Sequence, residues 1–204
     1  MSKNNFFKTL INFTKNLKTT GAVYKTNKKV ERDLCSKIDE STKIVVEFGT
    51  GYGNVTLEIL KKLPDDGKLY TFEVNEEFVE TVKQNIQDPR LVVINDTAQN
   101  FDKYVKEKVD CFISTIPFTL IPKEICIEII QKSYAALKAD RYFCKAQYSK
   151  LHFKKFTAIF DYCSSSSVLD NIPPVYIYYC KKTKVPNQFK GQKKNRLFSG
   201  AKAF

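Results

Sequence analysis

The chain has 204 residues, 43% of them apolar, and a formal charge of +12. That length suits one domain with a sizeable core plus extensions, and the longest unbroken apolar run, Val175–Cys180, falls far short of the ~18–20 residues a spanning helix needs. The charge is concentrated at the two ends: residues 1–37 hold nine Lys/Arg against Glu31 and Asp33, residues 181–204 hold eight and no acid, and the middle is mildly acidic, a distribution that fits an anionic partner, membrane or nucleic acid.

In chain order, the first element is an amphipathic helix. At about 100° per residue, Phe6, Phe7, Leu10, Ile11, Phe13 and Leu17 fall within an arc of roughly 160°, with Lys8, Asn12, Lys15 and Asn16 opposite. Phenylalanines interleaved with lysines describe a helix lying in an anionic interface, with Phe6, Phe7, Lys8, Leu10, Ile11 and Lys15 as its contacts. The same stripe also suits packing on the protein's own core. Lys8, Asn12, Lys15 and Lys18 interrupt the apolar stretch, so it lacks the core of a signal peptide.

Apolar, β-branched runs follow at 43–48, 68–74, 90–95, 109–115, 141–148, 167–170 and 175–180. Helical segments are expected at Val55–Lys62, Glu76–Ile86, Lys123–Leu137 and His152–Tyr162. Strands alternating with helices over short connections predict an α/β, Rossmann-like, mostly parallel sheet covered on both faces. The last two runs leave no room for a helix and read as an antiparallel edge hairpin turning at Pro173-Pro174, with Ser164–Ser167 as a loop before it. Three units result: N-terminal helices over 1–40, the α/β domain over 41–182, and a basic, disordered tail over 183–204. The six cysteines, Cys35, Cys111, Cys126, Cys144, Cys163 and Cys180, contain no Cys-x-x-Cys and mostly sit among apolar residues; they read as reduced packing residues of a cytosolic protein, with no metal site.

The stretch "KIVVEFGTGYGNVTLEIL" places Gly49, Gly51 and Gly53 between a strand and a helix. A turn of this kind lets the backbone approach a ligand at the carboxyl end of the sheet. Glu73 ends the second strand, where an acid can take two ribose hydroxyls, and Asp96 ends the third, where it can accept from an adenine amine. Together these three strand ends indicate a nucleoside-containing cofactor.

"EFGTGYG", with its acid two residues before the first glycine, resembles motif I of class I S-adenosylmethionine-dependent methyltransferases. The resemblance implies a seven-stranded sheet of order 3-2-1-4-5-7-6 and S-adenosyl-L-methionine as cofactor. It also implies Glu47 near the methionine ammonium and the Gly49–Gly53 backbone on ribose and methionine. Glu73 would take the ribose and Asp96 the adenine, with Thr50, Val74, Thr97 and Ser114 completing the cofactor set. "TTGAVYKTNKKVERDLCSKI", "ISTIPFTLIPKEICIEIIQKSYAALKADRYFCKAQYS" and "LDNIPPVYIYYCKK" are similar to bacterial phospholipid N-methyltransferases. That family methylates phosphatidylethanolamine to phosphatidylcholine, which implies a cytoplasmic enzyme peripherally attached to the inner face of the membrane. Thr20, Gly21, Thr115 and Pro117 then line the acceptor channel, and Tyr24 and Tyr148 are the candidates for removing the amine's proton or for cation–π contact with methylammonium. The chain departs from the family at "LKADR" (137–141), where a Pro-Gly-Gly-like turn is usual, and at Phe118 after Ile116-Pro117.

Nucleic acid is the competing partner, since the same lysines could grip phosphates. Adenine-N6 enzymes generally carry Asn/Asp-Pro-Pro-Tyr or a near variant after the fourth strand to hold the amine. Here the segment is Ser114-Thr115-Ile116-Pro117-Phe118. Few residues follow 182, where ribosomal RNA dimethyltransferases add a helical domain. An RNA or small-amine methyltransferase is therefore the second reading, and a membrane-surface cofactor-binding protein without turnover the third. His152, the single histidine, is expected at the start of a surface helix and not as the base.

Overall fold

The computed structural model describes residues 27–171 and 173–184. Phe6, Phe7, Lys8, Leu10, Ile11, Lys15, Thr20, Gly21, Tyr24 and the tail beyond 184 lie outside the described residues.

Asn27 caps the first described helix by accepting the Val30 N–H at 2.9 Å, opening α1 (Lys28–Leu34). The chain then alternates through β1 (Ile44–Phe48), α2 (Asn54–Lys62), β2 (Lys68–Phe72), α3 (Glu76–Asn85) and β3 (Leu91–Ile94). A 3-10 turn at Ala98–Lys103 leads to β4 (Val109–Ser114), α4 (Lys123–Ala136), β5 (Leu137–Gln147), α5 (Phe153–Ile159), β6 (Tyr162–Val168) and β7 (Val175–Lys181). The seven strands form one sheet of order β3-β2-β1-β4-β5-β7-β6, with β7 antiparallel to both of its neighbours. This is the expected topology.

Side chains alternate across the strands with period two, and each face builds its own core. One face carries Val46, Phe48, Tyr70, Phe72, Phe112, Phe143 and Tyr178, covered by the Ala98–Lys103 turn, α4 and α5. It is strongly aromatic: Phe112 stacks on Phe143 at 5.7 Å, and Phe48 lies 5.6 Å from Phe112. Each such ring, fully buried, contributes roughly 2–3 kcal/mol. The opposite face carries Val45, Leu69, Cys111, Ile113, Cys144 and Ile177 beneath α1, α2 and α3, and is aliphatic. Five of the cysteines are buried within these two cores. No helix among the described residues is long and apolar enough to cross a membrane.

Two segments differ from expectation. Ser164–Ser167 is not a loop; it lies inside β6, paired Ser164↔Tyr179 through Ser167↔Tyr176. Four serines carry no apolar alternation, so the pairing with β7 decides their conformation and local propensity does not. Correspondingly, the helix expected at 152–162 is shorter and stops at Ile159. Leu137, expected to end a helix, and residues 138–140, expected between that helix and the strand from Arg141, are the first part of β5. The register slips between Val109↔Leu137 and Cys111↔Tyr142, and Asp140 takes φ 63° with its N–H on the Lys182 carbonyl at 2.6 Å. Aspartate tolerates that left-handed conformation better than most residues, which lets a bulged strand stand where the resembled family turns on glycine.

Candidate active site

β1 ends at Phe48 and the chain turns through Gly49–Gly53 into α2. Gly49, Gly51 and Gly53 have φ of 88°, 52° and 84°, all in the left-handed region. A Cβ on Gly49 would sit 2.8 Å from Ile116 Cγ2 and 2.9 Å from Thr115 Oγ1, so the loop packs directly on the segment after β4. Thr115 reinforces that contact by donating its hydroxyl to the Gly49 carbonyl at 2.7 Å. A Cβ on Gly51 would meet nothing within 4 Å, so this is the open side of the loop.

Two buried carboxylates support the loop. The Gly51 N–H donates to Glu73 Oε2 at 3.0 Å, and the Val74 and Asn75 N–H groups donate to Oε1 at 2.9 Å each. Burial pushes the Glu73 carboxyl up, and these three donors oppose the shift. Glu47, in β1, accepts at Oε2 from Thr56 Oγ1 (2.7 Å) and Thr71 Oγ1 (2.8 Å), and Thr71 is in turn bonded to Thr50. Its Oε1 is buried without a partner. Burial drives the Glu47 carboxyl up to about 7 against those two hydroxyls, with a smaller upward push from Glu73.

Asp96 follows β3. Its Oδ1 accepts from the Thr97 N–H (2.6 Å) and Asn100 Nδ2 (2.8 Å), and its Oδ2 from Tyr104 OH (2.8 Å). Burial works against its charge, yet Asn100, the Thr97 N–H and Tyr104 hold the carboxyl below its ordinary value. Thr97 caps the following turn by accepting the Gln99 N–H at 3.3 Å.

The ends of β4 and β5 form the other wall. Ser114 pairs with Phe48 on one side and Lys145 on the other, and its Oγ is buried without a partner. Lys145 is fully buried; Nζ donates to the Ile116 carbonyl at 2.5 Å and lies 4.2 Å from the Phe118 ring centroid. Burial pulls its ammonium down to about 7, with Cys126 opposing. Phe118 is itself fully buried, stacked on Phe156 at 5.8 Å and touched edge-on by His152 at 6.3 Å. His152 therefore packs against the segment after β4 instead of standing on an open helix end; burial, Lys155 and Lys145 lower its pKa. Gln147, the last residue of β5, is 5% exposed and its Oε1 has no partner. Tyr148 follows at the rim, 39% exposed. Pro117 is half-buried between Ile116 and Phe118.

The structure thus brings together Glu47, Gly49, Thr50, Gly51, Glu73, Val74, Ser114 and Thr115, and places Asp96 and Thr97 after the neighbouring strand. These residues fit a nucleoside methyl donor. The unpartnered Glu47 Oε1 suits an ammonium, the open side of Gly51 leaves room for close approach, and Glu73 keeps one of its roughly four lone-pair sites. Among the described residues four buried side-chain atoms lack a partner, and three of them, on Glu47, Ser114 and Gln147, sit at the carboxyl ends of β1, β4 and β5. Sequence reasoning missed Thr56 and Thr71, which hold Glu47, and Asn100 and Tyr104, which hold Asp96. It also missed Lys145 and Gln147. The signal for that pair was present: in "FCKAQ" both share the parity of Phe143, so two polar side chains fall on the core face of a central strand.

Comparison with known proteins agrees with this geometry. Residues 45–140 match the family model of a methyltransferase domain. Ribosomal RNA small subunit methyltransferase A of Pelagibacter ubique (strain HTCC1062) is 31% identical over 120 residues, which are 59% of this chain and 43% of that protein, so the chain spans less than half the length of this relative. An rRNA methylase from Streptococcus thermophilus superposes with a TM-score of 0.60 at 20% identity, covering 76% of this chain and 95% of the other. Precorrin-6y C5,15-methyltransferase from Geobacter metallireducens GS-15 gives 0.66 at 15%, covering 78% and 90%. A Streptococcus mutans chain solved in complex with SAH gives 0.58 at 17%, covering 76% and 98%. At these identities the solved structures establish the fold. Residues 45–140, just under half of the chain, match a methyltransferase-domain model, and the chain has the Rossmann-like fold seen in these methyltransferase structures.

Proposed function

We propose that this protein methylates the amine of phosphatidylethanolamine or its methylated derivatives at an anionic membrane surface, using S-adenosylmethionine. The observation that carries the choice of acceptor is the burial of Phe118. Its ring is covered by Phe156, His152 and Lys145, so it offers no face on which a flipped base could stack. Residues 114–118 also lack the Asn or Asp that adenine-N6 enzymes use. The basic ends and the amphipathic pattern of residues 6–17 support a membrane as the source of the amine.

When bound, S-adenosylmethionine supplies an electrophilic methyl group on a sulfonium. The protein's task is to orient the acceptor and exclude water. Glu47, its carboxylate held by two threonine hydroxyls that donate to Oε2, would take positive charge at the loop, and Glu73 keeps the glycine backbone in place. The acceptor nitrogen must arrive neutral, although a primary alkylammonium, like lysine, titrates near ~10 in water. Its lone pair would have to face the donor site, and its proton would leave to solvent at the rim. Tyr148 stands there, and its ring face suits a methylammonium product.

An RNA acceptor is the second reading, favoured by the 31% identity to an rRNA methyltransferase. The test is methyl transfer by the full chain from labelled donor to vesicles of phosphatidylethanolamine and phosphatidylglycerol, in parallel with total RNA. Labelled headgroup without labelled RNA is expected, together with loss of vesicle co-sedimentation on deleting residues 1–18. Labelled RNA alone overturns the lipid reading, and donor binding without transfer to either identifies a binding protein.

A further inference from the structure

Several hydrogen-bonding groups around the ends of β4 and β5 are already committed within the protein. The Ile116 carbonyl receives Lys145 Nζ at 2.5 Å, and the Ser149 carbonyl receives the Tyr178 hydroxyl at 2.5 Å. The Thr115 hydroxyl is committed to the Gly49 carbonyl. Among the described residues two buried side-chain oxygens there lack a partner, Ser114 Oγ and Gln147 Oε1, on residues 0% and 5% exposed. Ser114 is the register partner of Lys145, and Gln147 lies two residues further on, so strand alternation puts all three on one face. A buried acceptor without a donor destabilises a fold, and its recurrence at a ligand-facing edge indicates that something else completes it.

Enzymes that methylate an exocyclic amine hold it with a carboxamide or carboxylate after β4, and residues 114–118 provide neither. We propose that Gln147 provides this acceptor from the adjacent strand: its Oε1 takes an N–H of the substrate amine, with Ser114 Oγ as a second acceptor, and so aims the nitrogen lone pair. This rests on the amine-methylation reading above. Lys145 has a complementary task. By occupying the Ile116 carbonyl it removes the backbone acceptor that would otherwise compete for the amine. No bond forms to Gln147; it directs the nitrogen while positive charge grows on it.

The test compares Gln147→Leu and Gln147→Glu with wild type in kcat/KM for the amine lipid in vesicles, SAH affinity by calorimetry, and thermal unfolding. Gln147→Leu is expected to lose about 10- to 100-fold in kcat/KM, the worth of a hydrogen bond to a group gaining charge, while its SAH affinity holds. Its melting temperature is expected to match or exceed wild type, because an unpaired acceptor has been removed; a purely structural glutamine would lower it. Gln147→Glu keeps an acceptor and retains most of the activity. Unchanged kcat/KM in Gln147→Leu, or equal loss of SAH affinity, overturns the proposal. If the leucine variant fails to fold, that result also counts against it. Should wild type methylate RNA and not lipid, the lipid reading falls while the loss of kcat/KM on RNA still tests Gln147. Should it methylate neither, protection by ethanolamine plus SAH in wild type but not in Gln147→Leu supports the subsite, and no protection in wild type refutes it.

Discussion

Replacing Glu47 by Gln isolates the cost of a buried carboxylate whose Oε1 has no partner among the described residues. In the folded chain Glu47 titrates near 7, against an ordinary 4.5, because burial outweighs the Thr56 and Thr71 hydroxyls. A raised carboxyl means that the folded protein keeps a proton the unfolded chain has released. Stability contributed by this group therefore falls as pH rises from 4.5 to 7, and the cost is fully present above 7. At about 1.4 kcal/mol per unit, the swing is about 3 kcal/mol. Glutamine can still accept both threonine hydroxyls, and its NH2 takes the place of Oε1, adding an offset that does not change with pH. Urea unfolding of both proteins across this window measures the swing: wild-type stability minus variant stability should drop by about 3 kcal/mol between the two ends. SAH, whose ammonium supplies the missing charge, should remove most of that drop in wild type and bind the variant more weakly. If the two proteins run parallel in pH, or SAH leaves the difference intact, the assignment of Glu47 to an ammonium is wrong.

The glycines separate structure from binding. Gly49→Ala should lower stability by about 2–4 kcal/mol, since it combines φ 88° with contacts at 2.8 Å and 2.9 Å; Gly51→Ala should cost only ~1 kcal/mol, its Cβ meeting nothing within 4 Å, yet weaken SAH in calorimetry. A Gly51→Ala variant with wild-type SAH affinity would show that the open side of the loop faces no ligand. Lys145 makes the opposite pH prediction to Glu47. Its folded-state value near 7 lies below the ordinary 10.5, so wild-type stability should climb between those pH values by about 5 kcal/mol, and Lys145→Met should flatten the climb in denaturant titrations.

The strands that were legible in the sequence are β1 to β4, whose short apolar runs are set off by polar, glycine or proline residues, together with the aromatic β7. The helices between them follow from apolar spacing and short connections. β6 was not legible as a whole, because Tyr162–Val168 takes its pairing from Val175–Lys181 across the sheet and not from its own serines. The start of β5 was hidden for a related reason: Asp140 at φ 63° belongs to a bulge whose partners are Lys182 and Val109–Cys111, all remote in sequence. At the site, the acids and glycines stood out by type and position. Their supports did not, since Thr56, Thr71 and Asn100 become significant only when folding brings them within hydrogen-bond distance.

The unpartnered oxygens of Glu47, Ser114 and Gln147 also bear on how long the protein survives in a cell. A fold that leaves acceptors open at its ligand edge is a weaker fold when empty, and occupancy adds stability as RT ln(1 + [L]/Kd). Because proteases take chains that open, a ligand that completes these oxygens should lengthen the protein's life, and its amount should follow the supply of that ligand.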